Sequence, residues 1–307
     1  MTDTLSSSRI SAVIVNYNSG AYAMECIKSL LQQNIGDLEI IIVDNASQDG
    51  SVSLFRSTFG EQVIVIESQE NLGFGRANNL AASVANGDWL LLINPDAILV
   101  QDNAILTLVA YLVENEKIGI VGPEIHEPSK SKHVLPRKKY PSEGRLKYTS
   151  KLKALPGNYA WILGACMMMR KTVFREIGGF DPDFFLYGED ADICLRLRLA
   201  GYQVGYCSNA TITHVGSASE RTATSLDKYL RKKRGFFLFC KKHYDLRDVS
   251  HIARMALITT YFGLIKLVIV GFFKRKHQLD LLHQKQRLQA SKIAAREMLD
   301  QMDISPH

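Results

Sequence analysis

Short apolar runs alternate with longer amphipathic segments over the first part of the chain. The runs are nearly continuous and rich in β-branched residues, which is typical of strands buried on both faces. They cover residues 10–15, 38–43, 63–67, 89–93 and 118–122. Segments of helical length lie between them, for example at 20–33, 73–86 and 102–115. This alternation predicts an α/β fold, with a mainly parallel sheet flanked by helices.

The pattern changes twice further along the chain. The stretch from Lys130 to Pro156 carries nine Lys and Arg and one acidic residue, which predicts a long basic loop or lid. Regular patterns resume at Trp161, and after about Ser219 only helical patterns follow. We therefore predict a catalytic α/β domain over residues 1–219 and a basic helical region over 220–307.

Charge is distributed unevenly between these two parts. Residues 1–219 carry 19 Lys and Arg against 23 Asp and Glu, a balance of −4, whereas residues 220–307 carry 18 against 8, a balance of +10. A basic tail on an acidic body favours an anionic partner such as phospholipid, a polyanionic substrate or nucleic acid. The acidic body contains no nucleic-acid-binding motif, so we expect no nucleic acid.

Cysteine spacing and the first residues bear on the compartment. Five cysteines without CxxC spacing favour neither a zinc site nor a disulfide framework, and they suit a reducing compartment. The first twenty residues lack a basic segment followed by a long apolar one, so we expect a protein that is not exported.

The apolar segment 255–273 is long enough to just span a bilayer, but Lys266 interrupts it. We predict a helix or hairpin at the membrane surface, with Lys and Arg on anionic headgroups. The alternative is a helix that packs against another domain or a second copy of the chain, which would make a homodimer.

Polar residues gather where the first strands end. They are Asn16 and Asn18, Asp44 and Asn45, residues 70–79, and Asn94 with Asp96. Each alone is typical of a helix cap or an Asx turn. Four such ends along one edge of a parallel sheet indicate a ligand cleft. The dinucleotide fingerprint is incomplete, because Asn78 replaces its third glycine, and a Walker A sequence is absent. These two observations argue against a nicotinamide-dependent enzyme and against a P-loop nucleotidase.

Two sets of side chains suggest chemistry at this cleft. Asp96 beside Asn94 offers hard oxygen ligands to Mg2+ or Mn2+, which would bridge a diphosphate, and His214 is either a second ligand or a core histidine. Glu189, Asp190 and Asp192 open a helix, where the helix dipole alone would favour them. The aromatic run before them also predicts a buried carboxylate with the raised pKa of a general base.

Seven motifs, taken in order, resemble the family 2 glycosyltransferases of GT-A fold, and within them the bacterial rhamnosyltransferase-like branch. They are VIVNYNS, IIVDNASQDGS, NLGFGRANN, LLINPD, GACMMMRK, GGFDPDFFLYGEDADICLRL and the later His214, within residues 9–219. The resemblance implies an inverting hexosyltransferase that uses a nucleotide-sugar donor.

The resemblance also implies roles for single residues. Asp190 would remove the proton of the acceptor hydroxyl, with Glu189 positioning the acceptor or the base, and Asp96 and His214 would bind the divalent cation. The nucleotide-sugar would contact Asn16, Asn18, Asp44, Asn71, Arg76, Asn78 and Asn94. Many relatives have an Asp-x-Asp motif, whereas this chain has Asn94 at the first position. Metal affinity should then depend heavily on the donor diphosphate.

The expected reaction is transfer of rhamnose from dTDP-rhamnose to a lipid-linked or cell-surface polysaccharide acceptor, whose lipid diphosphate the basic loop would contact. Alternatives are a UDP-galactofuranose or UDP-glucose transferase, or a non-catalytic sugar-nucleotide-binding scaffold of a polysaccharide assembly complex. A cytoplasmic location at the inner face of the cell membrane would suit such an acceptor.

Overall fold

The computed structural model describes residues 9–128, 132–216, 224–273 and 278–303. The strands are β1 (Ile10–Asn16), β2 (Leu38–Asp44), β3 (Ile64–Glu67), β4 (Trp89–Ile93), β5 (Ala97–Leu99), β6 (Ile118–Glu127), β7 (Lys132–Val134), β8 (Cys166–Arg170) and β9 (Gln203–His214). The helices are α1 (Gly20–Leu31), α2 (Ser51–Phe59), α3 (Gly73–Val84), α4 (Ala104–Glu114), α5 (Lys171–Glu176), α6 (Glu189–Leu199), α7 (Ser225–His243), α8 (Leu246–Phe273) and α9 (Gln278–Asp303).

The chain divides into two compact units. The first unit comprises Met1–Tyr140, Leu155–Phe185 and Glu189–Arg221, and the second comprises Pro141–Ala154, Leu186–Gly188 and Thr222–His307. The second unit therefore includes two short segments that lie far from the C-terminal helices in sequence.

The first unit is built around a single mixed sheet. Among the described residues its strand order is β3-β2-β1-β4-β8-β6-β9-β5, and β7 pairs with β6. The pairs among β1, β2, β3 and β4 are parallel, as is the pair of β6 and β9. The strands β5, β7 and β8 add antiparallel pairs. The carboxyl ends of β1, β2 and β4 therefore share one edge of the sheet.

Hydrophobic cores lie on both faces of this sheet. Along β1, Ile10, Ala12 and Ile14 pack into one core, and Val13 and Val15 pack into the other. The first core includes side chains of α1, α2 and α4, and the second includes side chains of α3, α5 and α6. The continuous apolar character of the strands follows from this two-sided burial. The predicted α/β class with flanking helices and a helical C-terminal region is confirmed.

The second unit consists of α7, α8 and α9 with the two short segments. Small buried residues on α9, Ala290, Ala294 and Ala295, allow close packing of the helices. Arg234 of α7 makes a two-pronged ion pair with Glu297 of α9, with nitrogen–oxygen distances of 2.6 and 2.9 Å. This charge-assisted pair links α7 to α9 at exposed positions.

A buried aspartate fastens the segment Pro141–Ala154 to α8. The Asp248 carboxylate accepts hydrogen bonds from three consecutive backbone N–H groups, those of Lys147, Tyr148 and Thr149, at 2.7–3.0 Å. The Thr149 hydroxyl donates a fourth at 2.8 Å. These bonds favour the charged form and hold the pKa of Asp248 below its usual value despite burial. The middle of the predicted basic loop is thus anchored; residues 129–131 lie outside the described part.

Within the described residues, no helix combines the length and apolar character needed to cross a membrane.

Candidate active site

The first cluster lies at the carboxyl ends of β1 and β2. Asn16 and Asp44 are register partners, and both are buried. Asn16 Nδ2 donates to Asp44 Oδ1 and to Ser51 Oγ, each at 2.8 Å, and the N–H of Ser47 donates to Asp44 Oδ2 at 2.9 Å. Asn16 Oδ1 is buried and accepts no hydrogen bond within the described part of the chain. Asn16 therefore orients Asp44 and leaves one acceptor open.

Asn18 connects the two loops that follow these strands. Its φ is +47°, a left-handed conformation that Asn tolerates better than most residues. Its backbone N–H donates to Ser47 Oγ at 2.9 Å, and its Oδ1 accepts from the N–H of Gln48 at 2.7 Å. This side chain orders the loop edge of the cleft.

The start of α3 carries the next predicted residues in different environments. Asn71 Oδ1 accepts from the N–H of Gly73 at 2.9 Å. Arg76 is exposed, and its Nε donates to the carbonyl of Pro182 at 2.7 Å. Asn78 is buried, and its Nδ2 donates to the carbonyl of Phe74 at 2.9 Å. Only Arg76 of these three presents a charge at the surface.

Asn45, to which the sequence motifs gave no role, ties β2 to α3. Its Nδ2 donates to the carbonyl of Gly73 at 3.0 Å, and its Oδ1 accepts from the N–H of Leu72 at 3.3 Å. The first two strand ends and the glycine-rich segment are thereby held in one framework.

The second cluster unites three predicted residues, Asn94, Asp96 and His214. Strands β5 and β9 pair Ala97 with His214, which brings Asp96 beside the histidine. His214 Nε2 lies 3.3 Å from Asp96 Oδ1 and 3.5 Å from Asn94 Nδ2. Asp96 and His214 are both buried. The two atoms, Oδ1 and Nε2, therefore face one another in a shielded position.

Glu127 is a further acid at this cluster that sequence reasoning missed. It lies at the end of β6 and is largely buried, and its Oε1 is 3.9 Å from His214 Nδ1. The imidazole thus lies between two carboxylates. The separation from Glu127 is longer than a hydrogen bond, and His214 Nδ1 is buried without a hydrogen-bond partner within the described residues.

The donor set fits a divalent cation with two protein ligands. Adjacent ligands of an octahedral ion with bonds near 2.1 Å lie about 3 Å apart, close to the 3.3 Å between Asp96 Oδ1 and His214 Nε2. In the part of the chain that the structure describes, no three His, Cys, Asp or Glu side chains are grouped so as to hold a metal ion. Additional ligands would have to come from substrate and water.

The acid pair Glu189 and Asp190 forms the third cluster, at the start of α6. Burial, and then the neighbouring charge of Asp190, raise the pKa of Glu189. Burial also raises the pKa of Asp190, although Asp190 accepts hydrogen bonds from the N–H groups of Ala191 and Gly164. Glu189 Oε2 is buried and accepts no hydrogen bond within the described residues. These two acids have the environment of a proton-transfer group.

Asp192 differs from its two neighbours. It is completely buried, but Arg196, one helical turn later, donates from Nε at 2.8 Å and lies 2.7 Å away through its second nitrogen. The Asp192 charge is therefore neutralised locally. Of the three acids that open the helix, this one stabilises α6.

The second and third clusters meet at one turn, Gly164–Ala165. The carbonyl of Ala165 accepts from the N–H of Asn94 at 2.9 Å, while the N–H of Gly164 donates to Asp190. A Cβ on Gly164 would lie 3.6 Å from the Cβ of Asp190, so the turn passes close to this acid. The turn thus fixes Asp190 relative to the end of β4.

Arg137 brings a positive charge to the acid pair. Its backbone pairs with Trp161 in an isolated bridge, and its guanidinium lies 6.0 Å from the centroid of the indole ring. The Arg137 charge lowers the pKa of Asp190 and opposes the effect of burial. An exposed cation therefore lies near the candidate base.

Comparisons with known proteins identify the family. The sequence model of "Glycosyl transferase family 2" matches residues 11–178, more than half of the chain. The chain belongs to glycosyl transferase family 2. A second model, described as "N-terminal domain of galactosyltransferase", matches residues 144–218. The recognition from sequence motifs is confirmed.

Curated relatives place this family 2 member near rhamnosyltransferases. The O-antigen chain rhamnosyltransferase RfbN of Salmonella typhimurium is 26% identical over 208 residues, 67% of this chain and 66% of that protein. The N-acetylglucosaminyl-diphospho-decaprenol L-rhamnosyltransferase of Mycobacterium tuberculosis is 26% identical over 242 residues, 70% of this chain and 76% of that protein. The chain thus spans slightly less than two thirds of the Salmonella protein.

Solved structures agree on the fold. The mannosyltransferase PcManGT from Pyrobaculum calidifontis, in complex with GDP-Man and Mn2+, superposes with a TM-score of 0.59 at 16% identity, over 94% of this chain and 87% of that one. GalNAc-T7 with UDP, GalNAc and Mn2+ superposes with a TM-score of 0.57 at 15% identity, over 76% of this chain and 48% of that one. The predicted GT-A fold is confirmed.

Proposed function

We propose that this family 2 glycosyltransferase moves a sugar from a nucleotide donor with inversion, most specifically rhamnose from dTDP-rhamnose. The observation that carries the proposal is the turn Gly164–Ala165, which holds Asp190 on one side and Asn94 on the other. A carboxylate with a raised pKa is thereby fixed near the Asp96–His214 pair. Inverting transfer needs this combination of a base and a site for leaving-group charge.

The strand ends would form the donor site. We assign nucleotide-sugar contacts to Asn16, Asn18, Asp44, Asn71, Arg76, Asn78 and Asn94. The open acceptor Asn16 Oδ1 and the exposed Arg76 support this assignment most directly. The buried Asn78 and the hydrogen-bonded Asp44 would act by shaping the loops that surround the nucleotide.

Asp96 and His214 would hold a divalent cation, Mg2+ or Mn2+. When bound, such an ion neutralises charge on a leaving nucleoside diphosphate. Both ligand atoms are already at suitable separation. With two protein ligands, the affinity would depend on the donor diphosphate. The Mn2+ found with PcManGT and GalNAc-T7 supports this proposal.

Asp190 would accept the proton of the acceptor hydroxyl. Its raised pKa strengthens it as a base, while the nearby charge of Arg137 keeps part of it ionised. Glu189, with the raised pKa of a buried acid beside a second carboxyl, would remain protonated more readily. A protonated Glu189 would donate a hydrogen bond that positions the acceptor or Asp190.

The choice of rhamnose rests on the relatives, since the site residues are compatible with other donors. Galactofuranose or glucose transfer from UDP is the nearest alternative, and a non-catalytic scaffold that binds a sugar nucleotide is a further one. A scaffold would have no use for a buried acid pair with raised pKa values, so the acid pair favours an enzyme.

The acceptor would be a lipid-linked or cell-surface polysaccharide. We propose that residues 1–219 carry catalysis and that 220–307 meet the inner face of the cell membrane from the cytoplasm. On α8 the large side chains of Ile258, Phe262, Ile265 and Ile269 are 46–68% exposed and recur on one helical face. Lys266 is exposed beside them, which suits anionic lipid. A homodimer across this face is the alternative.

A donor panel tests the proposal. Calorimetric binding of dTDP-rhamnose, UDP-galactofuranose, UDP-glucose and GDP-mannose, each with and without Mn2+, should give selective, metal-enhanced binding of dTDP-rhamnose. Turnover should then yield product with inverted anomeric configuration by NMR. Metal-enhanced binding of a UDP-sugar would replace the sugar assignment, and binding without turnover of any acceptor would favour the scaffold.

A further inference from the structure

Arg137 and Trp161 lie on two short stretches of chain that run side by side near the acid pair. The N–H of Arg137 donates to the carbonyl of Trp161 at 2.8 Å, and the N–H of Ala160 donates to the carbonyl of Arg137 at 2.7 Å. The indole Nε1 of Trp161 donates to the carbonyl of Lys139 at 3.2 Å. All of these residues belong to the first unit. The indole ring and the backbone of Arg137 are thereby held in one arrangement.

Helix α6, which begins with the acid pair, holds these two stretches from its other end. Arg198, in the last turn of the helix, is buried. Its guanidinium donates at 2.8–3.3 Å to four oxygen atoms, those of the Tyr140 hydroxyl and of the carbonyls of Leu155, Pro156 and Gly157. At the first turn of the helix, the N–H of Gly164 donates to Asp190. One helix of the first unit therefore fixes both the proposed base and the stretches that carry Arg137 and Trp161.

The guanidinium of Arg137 is the exposed end of this arrangement. Its carbon lies 6.0 Å from the centroid of the Trp161 ring. Burial raises the pKa of Asp190, and the charge of Arg137 opposes that effect. Exposed charges more than about 10 Å apart are largely screened at 0.1 M salt, so the guanidinium lies within one or two sugar lengths of this carboxylate. The N–H donors of a guanidinium form a planar fork that matches the oxygens of a phosphate.

We propose that Arg137 determines acceptor specificity by binding the phosphate or diphosphate of an acceptor whose sugar hydroxyl faces Asp190. Trp161 is a positioning residue that holds the guanidinium. The acceptor is then a sugar linked directly, or through one further sugar, to a phosphate, and not the distal end of a long polysaccharide. This inference rests on the proposed function and deepens it, because it names the chemical class of the acceptor.

The donor also carries a diphosphate, but the position of Arg137 favours the acceptor. The donor diphosphate is assigned to the metal site of Asp96 and His214, whose ligand atoms face one another. Arg137 instead lies near Asp190, which the acceptor hydroxyl has to contact. An anion at Arg137 would therefore be attached to the same molecule as the attacking hydroxyl.

The test compares two kinds of acceptor that differ in charge. They are the glucosyl, galactosyl and N-acetylglucosaminyl derivatives of hexyl diphosphate, and the neutral hexyl glycosides of the same sugars. All assays are at pH 8, above the raised pKa of Asp190, so that its ionisation does not limit the rate. We expect Arg137→Gln to raise KM for the diphosphate acceptor about tenfold or more, because charge-assisted hydrogen bonds are lost. Its kcat/KM for the neutral glycoside should stay at the wild-type value.

Three further variants separate the possible causes of such a loss. Arg137→Lys keeps the charge without the planar fork, so it should recover part of the loss. Trp161→Phe loses the hydrogen bond to Lys139, and it should raise KM for the diphosphate acceptor a few-fold with kcat unchanged. Arg175→Gln, which changes another exposed arginine of the first unit, should match wild type on both acceptors. In Arg137→Gln, an unchanged KM, equal losses on both acceptors or a matching rise in donor Kd would each overturn the inference.

Direct binding covers the case in which wild type turns over no acceptor. With excess dTDP and EDTA present, hexyl diphosphate should bind to Arg137→Gln about tenfold more weakly than to wild type by calorimetry. Neutral hexyl glucoside should not distinguish the two proteins. This difference without any turnover would refute the proposed function and keep the phosphate site. Equal binding of hexyl diphosphate to both proteins would overturn the inference even if turnover occurs.

Discussion

His214 Nε2 faces Asp96 Oδ1 at 3.3 Å, although 118 positions separate the two residues in the chain. The pairing of β5 with β9 brings them together, so the sheet itself builds this site. Asp96 lies in the short turn between β4 and β5, and His214 is the last residue of β9.

Loss of Asp96 should weaken donor binding only when metal is present. Asp96→Asn removes the anionic ligand that we propose for the metal, and we expect donor Kd in Mn2+ to rise about tenfold or more, with the metal-free Kd unchanged. Asp88→Asn, a change at an exposed position, is the control. Calorimetry in both buffers measures the effect, and an equal loss with and without metal would contradict the assignment.

Asp190→Asn should remove turnover and raise stability at alkaline pH. Loss of the proposed base should lower kcat by about 10² to 10⁴ with donor binding kept. The folded protein raises the pKa of Asp190, so ionisation costs stability at any pH above the ordinary Asp value. The melting temperature of the variant should therefore exceed that of wild type at pH 8, and the difference should shrink toward pH 4.

Asp192→Asn provides the matched comparison. It changes a neighbouring acid of the same helix but leaves the Arg196 guanidinium without its charged partner, so it should destabilise the fold by about 1–3 kcal/mol. Equal melting behaviour of the two variants would show that their environments do not differ as described.

The pH profile should report both Asp190 and Arg137. Activity should fall as pH drops through the raised pKa of Asp190, well above the ordinary Asp range. Because the Arg137 charge holds that pKa down, Arg137→Gln should move the acidic limb of kcat/KM to higher pH. Lys138→Gln, an exposed neighbour, is the control. A limb that stays in place in Arg137→Gln would exclude this electrostatic role.

The exposed face of α8 should govern binding to anionic vesicles. The double change Phe262→Ser and Ile265→Ser removes its two most exposed large side chains, and partitioning should fall about tenfold or more. The double change Leu54→Ser and Ile64→Ser, at exposed positions of the first unit, is the control. Sedimentation with phosphatidylserine and phosphatidylcholine vesicles measures the partitioning of each variant. If the α8 double variant no longer dimerises but still binds vesicles like wild type, the exposed face of α8 is a homodimer interface and not a membrane-binding surface.

The fold followed from sequence where one-dimensional patterns were sufficient. Strands β1 and β2 are buried on both faces, so their apolar runs are continuous and easily recognised. Strands β5 and β7 have three residues each, too few to establish a period, and were not predicted. The parallel character holds for β1 to β4, whereas the antiparallel partners beyond them depend on long-range pairing that no local pattern encodes.

The site was predictable to the extent that residue type reveals chemistry. Asp96, His214 and the acid pair carried recognisable signals. Glu127 did not, because its place beside His214 depends on the pairing of β6 with β9. Asp192 could not be distinguished from Asp190 by sequence alone, since both open the same helix and only the contact with Arg196 separates them.

The four hydrogen bonds to Asp248 have a further consequence for the basic loop. They divide one long excursion of the chain into two shorter ones, so its backbone loses conformational entropy when the protein folds. Groups on Lys147 and Tyr148 are then held close to one arrangement before any ligand arrives. An anionic acceptor that met them would bind without the free-energy cost of ordering the loop.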